Sequence, residues 1–145
     1  MNWTRDKSIR LSKVCTLACA AALAGLCTAA AAGWPAESWR GIGFNWYAVT
    51  LFAFAVPAFT AMGALYRLLH AISRSEVFVP ENVRRLRVIS WCCFAAAAVF
   101  LASSLYRPMW GVLALAGAFG GMVLRVVKNV FAAAVALQNE HDLTI

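Results

Sequence analysis

Four stretches of about twenty residues, nearly empty of charge, divide this chain, and each is long enough to cross the roughly 30 Å hydrocarbon core of a bilayer as a helix. They run over residues 11–32, 44–69, 88–106 and 109–128. Hydrocarbon offers no water to backbone N–H and C=O groups, so a segment that enters it closes its hydrogen bonds internally. Composition points the same way. Hydrophobic residues make up 63% of the chain, against about 45–50% in soluble domains. The 13% that are charged bunch between the apolar runs instead of following one face of amphipathic helices. The expectation is an all-α, single-domain, four-transmembrane-helix bundle over residues 1–145, multi-pass in the lipid bilayer.

Each stretch carries local information. Arg5, Lys7, Arg10 and Lys13 precede the first, and the alanines at 29–32 resemble a cleavage site, yet the apolar core exceeds the roughly 7–15 residues of a signal peptide. A lipoprotein site is poorly matched, because Leu26 precedes Cys27 where a small residue is wanted. Pro57 removes a backbone donor near the middle of the second stretch and is expected to kink it. Only two or three residues near Pro108 are left to turn the chain between the third and fourth, which makes these an antiparallel hairpin. The fourth reaches Arg125 and Lys128 after about 30 Å of helix. Residues 129–137 then continue as helix beyond the headgroups, before a short polar tail.

Orientation follows from the cations. Arg5, Lys7, Arg10 and Lys13, then Arg67, Arg74, Arg84, Arg85 and Arg87, then Arg125 and Lys128 fall on one side; Arg40 and Arg107 fall on the other. The richer side is expected to be cytoplasmic, with both termini inside. Trp34, Trp39, Trp46, Tyr47, Tyr106 and Trp110 gather at the opposite boundary, where amphipathic rings favour headgroup depth. The same clustering accounts for the net charge of +7 without direct nucleic-acid binding.

The cytoplasmic loop, residues 70–87, carries most of the remaining signal. Leu65, Leu68, Leu69 and Ile72 recur at helical spacing, so the second helix emerges from the membrane before residues 73–76 break the pattern. Pro80 fits the first turn of a new helix, with Glu81 at the positive end of its dipole, and Arg84, Arg85 and Arg87 lead into the third span. These arginines suit headgroup anchoring; they also suit a docking surface for a cytoplasmic partner.

Two motifs extend that reading. The segment Val77, Phe78, Val79, Pro80, Glu81, Asn82, Val83, Arg84, Arg85, Leu86, Arg87 and the ending Glu140, His141, Asp142, Leu143, Thr144, Ile145 resemble the DUF2975 family of small four-helix bacterial membrane proteins. The family pattern of Phe, Asn and a Leu-Arg pair corresponds to Phe78, Asn82, Leu86 and Arg87. Val79 stands where the family usually has Thr, so the hydroxyl that would cap the next helix is missing. The family's function is uncharacterised. Its members are often encoded beside a small helix-turn-helix regulator, which implies a nonenzymatic inner-membrane partner that sequesters or antagonises that regulator. On this reading Phe78, Asn82, Arg84, Arg85, Leu86, Arg87, Glu140, Asp142, Leu143, Thr144 and Ile145 are candidate partner-binding residues, and Phe78 is expected to fold back near Phe131 and Leu137. The alternatives are a small transporter or membrane-stress factor acting on a hydrophobic compound, with Thr50, Pro57 and Ser103 in its path, or a structural subunit of a membrane complex.

Other constellations are weaker. Cys15 and Cys19 lie one turn apart and Cys92 adjoins Cys93, but apolar surroundings disfavour thiolates and no histidine lies in the spans, so neither a metal site nor a cofactor is expected. No nucleophile stands at recognisable spacing from a base, so no enzyme is expected. The spans hold no acidic residue of the kind that marks ion pathways. Gly117 and Gly121 form a G-x-x-x-G pair, suited to packing against the neighbouring hairpin helix or to a homo-oligomer contact.

Overall fold

A computed structural model describes residues 3–32 and 46–144, with the backbone alone for residues 3–5. It contains α1 (Trp3–Ala31), α2 (Trp46–Ser73), α3 (Pro80–Ser103) and α4 (Met109–Thr144), and no strand among the described residues. All four are long and apolar enough to span a membrane. The bounds differ from the sequence expectation mainly where helices leave the hydrocarbon. α1 begins at Trp3, because residues 3–10 contain no breaker and Asp6 sits favourably in the first turn. α2 runs through Pro57 as one helix. α4 ends at Thr144 instead of giving way to a separate tail, since no Gly or Pro interrupts residues 129–144. Thr144 Oγ1 donates to the carbonyls of Glu140 (3.1 Å) and His141 (2.9 Å) in that last turn.

The helices pack in chain order: α1 on α2, α2 on α3, and α3 on α4. α3 is the middle of this row. Leu86 and Ile89 of α3 join Leu68 of α2 in a buried cluster that Ile72 covers from one side and Leu124, Val127 and Phe131 of α4 cover from the other. In an apolar solvent such contacts gain from close fit more than from water exclusion, so small side chains matter. Gly117 packs with its Cα face toward Ala97, and Gly121 toward the ring of Phe94, where an added Cβ would come within 3.2 Å. Ser90 Oγ donates to the Gly121 carbonyl at 2.9 Å. The G-x-x-x-G face is therefore used within the chain, between the hairpin helices.

The α3–α4 connection occupies residues 104–108, longer than the two or three residues expected. α3 stops early because the chain turns back on the last helical carbonyls: Leu105 N–H donates to the Ala102 carbonyl, and Tyr106 N–H and Arg107 N–H both donate to that of Ser103. Pro108 then disfavours a helical conformation at Arg107. Aromatic rings close this end. Tyr47 lies 6.2 Å from both Tyr106 and Trp110, and Trp110 stacks on Phe100 at 5.5 Å, with Arg107 5.4 Å from the Tyr47 ring. Beneath them Thr50 Oγ1 bonds the hydroxyls of Ser103, at 2.8 Å, and of Tyr106. Trp34, Trp39 and Arg40, assigned to the same boundary from sequence, lie outside the described residues.

At the opposite end Lys13 Nζ donates to Ser73 Oγ at 3.1 Å, which puts the beginning of the chain beside the α2–α3 loop; α4 finishes on the same side. A Gly121→Val substitution is expected to force the Phe94 ring aside and destabilise the α3–α4 pair by about 2 kcal/mol. Gly120→Ala, with open space around its Cα, is expected to be neutral or better. Thermal unfolding of the two variants in one mild detergent checks both.

Candidate functional site

The α2–α3 loop is built on two backbone devices. α2 ends in a Schellman motif: Glu76 N–H donates to the Ala71 carbonyl and Ser75 N–H to the Ile72 carbonyl, each at 3.1 Å, closing the 6→1 and 5→2 pair. The motif needs a left-handed residue, and Ser75 supplies it at φ 64°. Glycine is the usual occupant, so nothing in the sequence marks Ser75 as the pivot beyond its place in a break of pattern. Residues 76–79, with a bend at Phe78 and extended dihedrals at Val79, then lead into α3, whose first residue is Pro80.

Asn82 holds that segment. Its side chain is completely buried. Nδ2 donates to the carbonyls of Glu76 (2.7 Å) and Val77 (3.0 Å), Oδ1 accepts from Arg85 Nη1 (3.0 Å), and its own N–H donates to the Val79 carbonyl (3.0 Å). One amide thus satisfies two loop carbonyls and orients an arginine. Arg85 passes the connection on, with a longer 3.4 Å contact to the Arg67 carbonyl of α2 and an ion pair of 3.9 Å with Glu81 one turn back. Val79 occupies the N-cap position with extended dihedrals and makes no side-chain cap, as the missing hydroxyl implied.

These contacts separate the candidate partner-binding residues into groups. Asn82 and Leu86, read from sequence as contact residues, face inward: Asn82 saturates the loop and Leu86 belongs to the buried cluster with Leu68 and Ile89. They shape a surface without lining it. Arg84 and Arg85 border an open cleft of about 460 Å³ between α2 and α3, with Arg67, Glu81, Thr60 and Phe59 around it. Arg87 lies on the other flank of α3, with Arg125 and Lys128 of α4. Phe78 stays about half exposed while its ring rests 6.0 Å from Phe131, which brings the loop onto α4.

The ending Glu140, His141, Asp142, Leu143, Thr144 is exposed and helical; Ile145 lies outside the described residues. Nine residues separate Phe131 from Glu140, about 13 Å of helix, so the loop contact and the tail motif stand at different heights on α4. At 3.6 residues per turn the tail does not share one face. Asp142 continues the row of Phe131 and Val135, whereas Glu140 and Thr144 continue the row of Val130, Ala133 and Leu137. The latter apolar row is exposed, with Val130 at 62% and Leu137 at 66%.

The remaining polar and sulfur groups form no further centre among the described residues. No three His, Cys, Asp or Glu side chains come together in a metal-binding arrangement, and all five cysteines are free thiols, Cys15 and Cys19 on the outer face of α1. Sequence reasoning missed Ser75, the Glu76 carbonyl and Arg67 as parts of the loop frame. Backbone acceptors leave no trace in side-chain patterns.

Replacing Asn82 by Ala is expected to leave the Glu76 and Val77 carbonyls without their donor and to lower stability by about 3 kcal/mol. Val79→Thr restores an N-cap at a position whose dihedrals already suit it and is expected to add about 1 kcal/mol. Denaturation of solubilised protein measures both, and opposite signs are the expected outcome.

The likeness noted in the loop and the tail extends along nearly the whole chain: the model of a family described as a protein of unknown function, DUF2975, matches residues 17–145. No curated protein and no solved structure matches. The matched region takes in about half of α1, all of α2, α3 and α4, and the framed loop between α2 and α3. This four-helix chain, with its Asn82-centred loop and helical ending, belongs to the DUF2975 family.

Proposed function

We propose that this protein is a nonenzymatic multi-pass inner-membrane protein whose cytoplasmic end docks and sequesters a small helix-turn-helix transcription regulator. The observation that carries the reading is α4, which continues for about 24 Å beyond Lys128 and still presents an apolar row to solvent. A spanning helix needs lipid-facing side chains only within the hydrocarbon. Val130, Ala133 and Leu137, at i, i+3 and i+7, form the kind of stripe that enters a hydrophobic groove or receives another helix. Helix-turn-helix proteins are themselves small assemblies of helices with such faces. Phe78 packs against Phe131 on another face of α4 and is not part of this row; Glu140 and Thr144 extend the row at its far end with polar groups for a rim.

The cytoplasmic placement of this end rests on the cation asymmetry, eleven on the loop side against Arg40 and Arg107 on the other. The choice of partner rests on the family's association with small regulators. The regulator's DNA-binding helix need not be touched directly; confinement at the membrane lowers its availability for DNA. No comparable observation favours the transport reading: the hydroxyls of Thr50 and Ser103, which a path for a small compound would use, are bonded to each other and to Tyr106 beneath a cap of rings.

Pull-down from native membranes in mild detergent tests the proposal with three forms of the full chain: the natural sequence, one lacking residues 140–145, and a Val130→Asp, Leu137→Asp double variant. Recovery of a small helix-turn-helix protein is expected with the natural sequence, at least tenfold less with the double variant, and an intermediate amount with the truncated form. Equal recovery from all three, or no soluble partner from any, would overturn it.

A further inference from the structure

Arg87, Ser90 and Trp91 of α3 and Arg125 and Lys128 of α4 line a cleft of about 140 Å³ on the flank of α3 away from α2. Three cations converge there and none of the lining residues is acidic. The contrast with Arg85 is informative. Arg85 is held by Asn82, Glu81 and the Arg67 carbonyl, whereas Arg87, Arg125 and Lys128 have no hydrogen bond or ion pair among the described residues. Three like charges held together at the edge of an apolar medium repel one another unless an anion joins them.

The protein does constrain one of the three. The Arg125 guanidinium lies 5.4 Å from the Trp91 ring centre and 5.6 Å from that of Phe94. Stacking on rings orients a guanidinium while leaving its N–H edges available for bidentate contact, the geometry that suits phosphate oxygens. The level is also specific. Arg87 stands just before the third apolar stretch and Lys128 just at the end of the fourth, so the cleft opens where hydrocarbon meets headgroups. Trp91, 60% exposed on the flank of α3, has the amphipathic character of residues that sit at that depth.

We propose that this cleft is a binding site for the phosphodiester of an anionic phospholipid, with Arg125 and Lys128 from α4 and Arg87 from α3 as its cationic contacts and Trp91 against the upper acyl chain. The bound phosphate bridges the two helices of the hairpin on the side opposite the α2 packing. Ser90 is not a contact, because its hydroxyl is committed to the Gly121 carbonyl; it fixes the spacing of the walls. The site is independent of the docking surface on the α4 extension and stands whether or not a soluble partner binds there. Free inorganic phosphate shares the recognising chemistry, but the membrane level of the cleft and the exposed indole assign the lipid.

Native mass spectrometry of the full chain in detergent, titrated with dioleoylphosphatidylglycerol, dioleoylphosphatidylcholine or inorganic phosphate, tests the site. The phosphatidylglycerol adduct is expected to persist at collision energies that strip phosphatidylcholine, and inorganic phosphate is expected neither to bind nor to compete. Each lost cation is expected to weaken phosphatidylglycerol binding about fivefold, so Arg125→Gln with Lys128→Gln weakens it more than tenfold. Arg87→Gln, exposed and outside the buried cluster, gives the single-charge effect even if the double variant fails to fold. Arg84→Gln, bordering the other cleft, serves as the control for net charge. Unchanged adducts in the Arg87→Gln variant, a loss as large in Arg84→Gln, equal retention of phosphatidylcholine, or effective competition by inorganic phosphate would each overturn the assignment.

Discussion

A peptide group that enters hydrocarbon without a hydrogen-bond partner costs several kcal/mol, and the architecture of this protein answers that constraint. Its effect goes beyond making the spans helical. Hydroxyls in the apolar helices turn onto the carbonyl one turn back, as Thr16 does to Ser12, Thr60 to Val56 and Ser103 to Val99. Non-helical backbone is confined, among the described residues, to the two ends of the row, and a buried polar cluster lies at each end. At the loop end Asn82 takes up two free carbonyls. At the hairpin end Thr50, Ser103 and Tyr106 share hydroxyl protons below the turn.

These two polar clusters also determine how α2 and α3 lie against each other. Apolar faces alone permit sliding, because in lipid one leucine contact resembles another. A hydroxyl bond from Thr50 to Ser103 at one end and the Asn82–Arg85–Arg67 connection at the other fix the register over the full height of the pair. On the other flank of α3, Ser90 and the Gly121 carbonyl set the depth of contact with α4. Polar groups act here as alignment points for packing that is otherwise permissive.

The four helices, the antiparallel hairpin and the direct run of the basic segment into the third span were legible from hydropathy and charge, since those quantities respond to the bilayer itself. The division of labour within the motif was not. Phe78, Asn82, Leu86 and Arg87 read as one string, yet helical periodicity sends Asn82 and Leu86 into the core, Arg87 to one flank and Arg85 to the other. The approach of Phe78 to Phe131 was anticipated; Leu137, expected beside them, lies further along α4 and stays exposed. Ser75 and the Arg125–Trp91 stack were not, since one depends on a backbone dihedral and the other on two helices brought together from distant parts of the chain.

The strictly sequential order of helix packing bears on how the protein is made. Each helix finds its partner in the one synthesised immediately before it, so no helix has to wait for a distant segment to emerge. α3 gains its first neighbour on emergence and its second when α4 follows, and the polar connections to α2 become available before α4 exists. Assembly thus proceeds from the beginning of the chain to its end as a series of local steps. Docking of α4, which follows the other three, brings both its long extension and the cations facing Arg87 into place, so the surfaces with the most chemistry form only once α1, α2 and α3 are there to receive it.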